Sequence, residues 1–535
     1  MLGHRKPQRS LFEATVWPHR VDSESFYGRM AAVSDVLFAD DDLAEMYTLD
    51  NGRPSLPPSL LCGVLLLQFY DGSGDEEAVD RLRFDLRWKV ALGLPLDYGG
   101  FDPTSLVVFR KRLLAHGQER YAFDRFLKVA RETGFLPEKL RQLVDSSPQK
   151  GAGAVQDTFT LLRKGVRKLL KAMGFAVPSK RRGLAVNLAS YLDSDEKARI
   201  DWRDQTARGE ELVRLVRDAD TVLALAEEQS DNPEVRALGW LLTKILGDDL
   251  VVDETGRPEI GEGVARDRMI SWTDPTMRHG RKSAAGRWNG AKIQIMEEPE
   301  TELITAVDVV DASAGDGKSL LELVDDVALH LGRPIEQLVG DTAYGEAENR
   351  VGCAARWIDL VAPVTTWGDP AVAKDAFEVG ARGFSLTCPT GQITTDWEMV
   401  KDTHEREVKR FTFARAICER CPLFERCVRS KTKGRSVTLH FHEDVLRAAR
   451  ERQTTAAFRT IYRTRPIIER KIAELMGRGL REARYVGREK QRLQALWTAA
   501  IVNLKRLFTL AKETPTRVRA GLVAVAPLPS VAMLS

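Results

Sequence analysis

The feature that most constrains the fold is a change of apolar period after the charged segment 278–287. Beyond it, apolar residues fill Ala291 to Met296 and Leu303 to Val310, with a turn at 297–301 between them. That pattern predicts a β-hairpin. It is followed by a helix over 318–331, a strand over 337–340 that ends at Asp341, a helix over 346–356 and a strand over 358–363. Upstream, the short apolar run Leu143-Val144 leads into Asp145-Ser146-Ser147-Pro148, and predicts one more strand, closing on an acidic turn. Strands alternating with helices predict an α/β fold, a mixed sheet with helices on its faces.

The remaining sequence reads as helical. Apolar positions recur at helical spacing in Ser59 to Tyr70, Glu76 to Leu92 and Thr104 to Leu114, and again from Gln156 to about Gly247. The first group predicts a compact helical unit that either docks or enters a DNA groove. Its 535 residues are enough for about three domains at roughly 150 residues each. No stretch reaches the roughly eighteen apolar residues of a membrane helix, and the N-terminus lacks an apolar signal core, so a cytoplasmic protein with no membrane partner is expected.

Charge is unevenly spread although the net value is only +3. Residues 34–50 are acidic, while from Arg459 to Arg506 thirteen basic residues stand against four acidic ones. Such a field suits a polyanionic partner, although a solvated helix surface would look the same. Within it lies Tyr462-x2-Arg465-x3-Glu469, a spacing that places Arg465 and Glu469 on one helix face. Glu469 joins Asp145 and Asp341, both expected at strand ends, as a candidate metal-binding trio. Magnesium takes one or two carboxylates and fills its remaining positions with water and phosphate oxygens. Two such ions about 4 Å apart would serve an in-line displacement. A lone Asp is more often a cap or turn residue, and Asp157, Asp308 and Asp311 are rivals for the first acid.

Four of the six cysteines, Cys388, Cys418, Cys421 and Cys427, fall within forty residues of one another. The Cys418-x2-Cys421 knuckle is the specific part, and four thiolates suffice for a tetrahedral zinc site. His404, His440 or His442 could replace one ligand; free thiols and an iron-sulfur cluster are the other readings. Cys62 and Cys353 lie in apolar contexts and read as core residues.

The context Gly340-Asp341-Thr342-Ala343-Tyr344-Gly345, taken with Tyr462-x2-Arg465-x3-Glu469, resembles the bacterial insertion-sequence transposases of the DDE type. The block from Asp145 to Thr158 and the segment Leu493 to Leu507 resemble the subgroup with a cysteine-rich insertion. The lysine that closes the family's signature falls on Met476 here, with Lys471 and Arg478 nearby. The resemblance implies a ribonuclease H-like catalytic core holding Mg2+ or Mn2+ on Asp145, Asp341 and Glu469. It also implies DNA contacts from Tyr462, Arg465, Lys471 and Arg478, cleavage at terminal inverted repeats of double-stranded DNA, strand transfer, and a homodimer on paired ends in the nucleoid. The expected organisation is a helical DNA-binding or docking unit (1–135), the first catalytic strand (136–155), a helical insertion (156–265), the core (266–365), a cysteine-rich zinc insertion (366–450), catalytic C-terminal helices (451–512) and a flexible tail (513–535). A nuclease without strand transfer and a retired, DNA-binding regulator are the alternatives.

Overall fold

The computed structural model describes residues 1–5, 20–48, 52, 54–193, 200–263, 265–282, 286–366, 368–402, 406–511 and 515–525. Six strands form one mixed sheet: β1 (Leu140–Lys150), β2 (Arg278–Arg281), β3 (Arg287–Glu298), β4 (Leu303–Asp311), β5 (Ile335–Val339) and β6 (Asp359–Val361). The helices that position the sheet are α1 (Pro58–Asp71), α2 (Tyr121–Glu132), α3 (Leu320–Leu331), α4 (Ala347–Ala355), α5 (Pro466–Leu475), α6 (Arg488–Leu510) and α7 (Pro515–Ala524).

The expected hairpin is β3 and β4, antiparallel to each other, with β3 also antiparallel to β1. β5 runs parallel to β1, and β6 runs parallel to β5. Parallel neighbours need a crossover, and α3 and α4 supply them. Helix α3 shows why the sequence folds this way. Leu320, Leu323, Val324, Val327 and Leu331 are buried at three- and four-residue spacing, and the helix stops at Gly332, whose φ of 60° suits a residue without a Cβ.

Helix α6 is the hub. Every residue from Leu493 to Leu504 is buried, so it is covered on all sides, by β4, α2 and α1 among others. Asn503 clips it to the sheet: its Nδ2 donates to Ile304 O at 2.8 Å and its Oδ1 accepts from Ile304 N at 2.9 Å. One apolar core therefore unites the N-terminal helices, the sheet and the C-terminal helices. A second core lies among the helices between Thr158 and Asp249, and a third, around Phe377, Leu386 and Phe411, within the two small three-stranded sheets that carry the cysteines.

Two expectations are corrected. The strand around Leu143-Val144 does not close on Asp145 but continues to Lys150, through Pro148. Beyond Leu143 its ladder partner is β3, and on the other edge only Lys150 is bridged, to Glu482, so that edge is open at Pro148 and a proline without an N–H is tolerated there. Residues 513–535 were expected as a flexible tail; 513–514 and 526–535 lie outside the described residues, but between them α7 buries Val518 and Leu522 and packs on α2.

Candidate active site

In the parallel ladder Leu143 of β1 lies opposite Val339 of β5. Two residues further along each chain come Asp145 and Asp341, so the two-residue period of extended chain sets these carboxylates side by side at one edge of the sheet. Asp341 caps the short helical turn Thr342–Tyr344, its Oδ1 accepting from Ala343 N at 2.9 Å. Asp145 Oδ1 accepts from Ser146 N at 2.8 Å. Each acid thus has one oxygen fixed by the backbone and the other turned toward a common centre.

Glu469 enters from the first turn of α5. Tyr462 and Glu469 stand on different helices: Tyr462 ends one, Pro466 starts the next, and Arg465 is its N-cap. Arg465 still pairs with Glu469 through Nη1, while its Nη2 lies 3.1 Å from Asp145 Oδ2 and 3.8 Å from Asp341 Oδ2. One guanidinium therefore touches all three acids. Burial pushes the Asp145 carboxyl up to about 6, with Asp341 adding to the rise and the Ser146 N–H, Arg465 and Lys282 opposing it. The Arg465 guanidinium is weakened by burial, yet Asp145, Asp341 and Glu469 hold it above its ordinary value. Burial also raises the Tyr462 hydroxyl, which stands close enough to feel the same four charges.

The other expected residues separate into two groups. Tyr462 and Arg465 border the trio. Lys471, expected on DNA, is 4 % exposed and turns inward, 3.2 Å from Glu474 and 3.9 Å from Glu297. Three residues after Ile468 and four before Leu475, both buried, it sits on the apolar face of α5, a signal that its spacing already carried. Arg478, also expected on DNA, donates to Tyr70 O at 2.7 Å and lies 4.3 Å over the Tyr70 ring, tying α5 to the N-terminal helices. Met476 is buried beside it. Asp157 caps the helix Thr158–Ala172, Asp311 pairs with Arg488, and Asp308 lies 3.5 Å from Arg492, so the three rivals of Asp145 have other partners.

Glu297, fully buried next to Lys471, has neither oxygen hydrogen-bonded among the described residues, and burial lifts its carboxyl to about 8 against the pull of Lys471. A carboxyl raised in the folded state stabilises the fold below its unfolded value of about 4.3, and that contribution is lost as pH rises through about 8. Glu297→Gln cannot ionise. The parent's Tm is therefore expected to fall relative to the variant's between about pH 5 and pH 8 and to level off above that, which thermal melts across that window will check.

The expected zinc site is not supported. All four cysteines are free and line one pocket, but Cys388, Cys418 and Cys427 pack on the apolar cluster of Phe377 and Phe411. The Cys421 thiol is 3.6 Å from Thr390 Oγ1. His440 bonds Glu348 at 3.1 Å, and His404 lies outside the described residues. Among the described residues no group of three or more His, Cys, Asp or Glu gathers closely enough to hold a metal ion. The acid trio falls under the same statement, with Arg465 standing among its members.

Residues 387–508 match a family described as a transposase DDE domain, and residues 16–112 match a family described as a transposase domain (DUF772). Both descriptions are of transposase domains, which supports reading the chain as a transposase of the DDE type. The first match takes in Arg465, Glu469 and the four cysteines, and the second takes in α1 and the helices around it; Asp145 and Asp341 lie between them. No curated protein and no solved structure matches the chain. A transposase acts on DNA, and enzymes of this type generally use a divalent metal such as Mg2+. Among the described residues of this transposase no helix is long and apolar enough to cross a membrane.

Proposed function

We propose that this transposase cuts DNA at the terminal inverted repeats of its insertion sequence and joins the freed 3′-hydroxyl to target DNA, with Asp145, Asp341 and Glu469 as the acids that carry the reaction. The observation behind this reading is the convergence of three carboxylates, drawn from positions far apart in the chain, on one guanidinium at one edge of the sheet. A sheet in which a hairpin lies antiparallel to the acid-bearing β1, and two crossover strands parallel to it, is compatible with a ribonuclease H-like core.

The donor set suits magnesium: all three acids offer hard oxygens, and one oxygen of Asp145 and one of Asp341 are already oriented by Ser146 and Ala343 N–H groups. When bound, the metal would activate the attacking hydroxyl and stabilise the leaving oxygen. The protein's own part is to hold those oxygens still, to keep the Asp145 side of the site dry through burial, and to receive the DNA backbone. A cleft along the start of β3, lined by Arg266, His279, Arg281 and Arg287 with Lys292 paired to Asp316, carries net positive charge for that purpose. Two ends must be paired before both can be joined to one target, so a homodimer on DNA follows from the same reading. A DNA-binding regulator with vestigial acids is not favoured, since all three acids are present and each reaches Arg465.

The test is cleavage of a labelled duplex bearing the element's own inverted repeat, with Mg2+ present or chelated. Nicking at the repeat boundary in Mg2+ alone, followed by joined products, is expected. Binding without nicking in Mg2+ would overturn the proposal.

A further inference from the structure

Arg465 makes three contacts that no simple DNA-facing arginine needs. Its forked donors reach Asp145, Asp341 and Glu469 together, although the first two acids lie more than a hundred residues upstream in the chain. A guanidinium is permanently charged and matches carboxylate and phosphate oxygens equally well. Held there, it occupies the centre toward which the acids point, and a divalent cation brought to the same oxygens would meet its positive charge at short range.

We infer that Arg465 is the resident counter-cation of the DNA-free transposase: it competes with the divalent metal for the three acids and is drawn away by a DNA phosphate, so that DNA binding raises metal affinity. This rests on the reading of the trio given above. Three features make the exchange physically available. The Arg465 side chain is 19 % exposed and Glu469 54 %, so the cluster opens to solvent on the Glu469 side. Arg465 Nε has no hydrogen-bond partner among the described residues, which leaves a donor unused by the acids. The residue is the N-cap of α5, so a side-chain rotation swings the guanidinium outward without disturbing the helix. Removing it from the acids leaves three negative charges facing one another, a field that favours the incoming metal.

The thermodynamic consequence is reciprocal. If DNA tightens metal binding by displacing Arg465, the metal tightens DNA binding by the same factor. A transposase built this way stays unloaded until it has engaged DNA, which guards against adventitious cutting. A purely structural clamp makes the opposite forecast, because removing a clamp loosens the acids and weakens metal binding in every state.

The experiment is titration of the full chain with Mn2+, read by the loss of the free-ion EPR signal, with and without a duplex carrying the element's end. Wild type is expected to bind weakly alone and about tenfold or more tightly with DNA, within the usual range of coupling between sites. Arg465→Gln is expected to bind Mn2+ without DNA about as tightly as wild type does with it, and to gain little when DNA is added. Arg465→Lys, which keeps a charge but cannot bridge three acids, should fall between them and serves if the glutamine variant melts early. A DNA-free Arg465→Gln that binds Mn2+ no tighter than wild type would overturn the inference. Asp341→Asn combined with Arg465→Gln should abolish the gain; if the gain persisted, the ion would be sitting elsewhere, and it is the assignment of the trio that would have failed.

Discussion

With divalent metal chelated, Asp341→Asn is expected to bind an element end with the affinity of the parent chain, and in Mg2+ to cut it about a thousandfold more slowly, the scale on which loss of one group supporting transition-state charge acts. The substitution isolates chemistry from folding. Asp341 holds the turn Thr342–Tyr344 by accepting from Ala343 N, and asparagine accepts the same bond and is as good a cap. The side chain is also 35 % exposed, so no buried charge is uncovered. What changes is the oxygen turned toward Arg465, which becomes neutral or is replaced by an amide nitrogen, a poor ligand for a hard cation. Single-turnover cleavage of a labelled end, with binding measured in parallel by fluorescence anisotropy, checks the result. Cutting within a few fold of the parent would remove Asp341 from the reaction. A loss of binding equal to the loss of cutting would instead place the residue in DNA recognition.

The parts of this architecture that the chain announced are those with a local physical signature. The hairpin of β3 and β4, and the alternation that follows through α3, β5, α4 and β6, are readable because apolar period changes abruptly there and each element is short. The pairing of Arg465 with Glu469 was readable from a motif confined to eight residues. Other features depended on partners far along the chain. Nothing near Pro148 shows that β1 has only one neighbour at that point, and this alone lets the strand continue past the proline. The contact of Arg465 with Glu469 was legible from their four-residue spacing, but its reach to Asp145, 320 positions away, has no local trace. Two other features did have a local signal. Pro466 marks the break between Tyr462 and α5, and the spacing of Lys471 from Ile468 and Leu475 puts it on the buried face, so a count of basic residues overstated the charge available to DNA. The cysteines illustrate the limit of spacing as a warrant: four thiols close in sequence do line one pocket, but three of them pack on the apolar cluster around Phe377, and among the described residues no metal-holding group is formed.

Trp497→Ala is expected to cost about 3–5 kcal/mol, among the largest effects open to a single truncation in this chain. The ring is fully buried in the middle of α6, its Nε1 donates to Glu119 O at 3.1 Å, and its centroid lies 6.5 Å from that of Phe38, which in turn contacts Tyr121 and Phe126. The indole therefore bridges the N-terminal helices and the helix that Asn503 clips to β4. Truncation leaves a cavity at that joint and strips the partner from a backbone carbonyl, and both act in the same direction. Trp240, 64 % exposed, supplies the control: its alanine variant should stay within about 0.5 kcal/mol of the parent. Chemical denaturation followed by circular dichroism gives both numbers. A cost for Trp497→Ala as small as the control's would mean that the two regions do not share a core. The expected result carries a functional corollary, because the same interface fixes the helical region relative to the edge that bears Asp145 and Asp341. At temperatures where Trp497→Ala is still folded, cleavage positions on a labelled end should spread over neighbouring phosphates while binding persists, since a loosened joint no longer sets one distance between where the DNA is held and where it is cut.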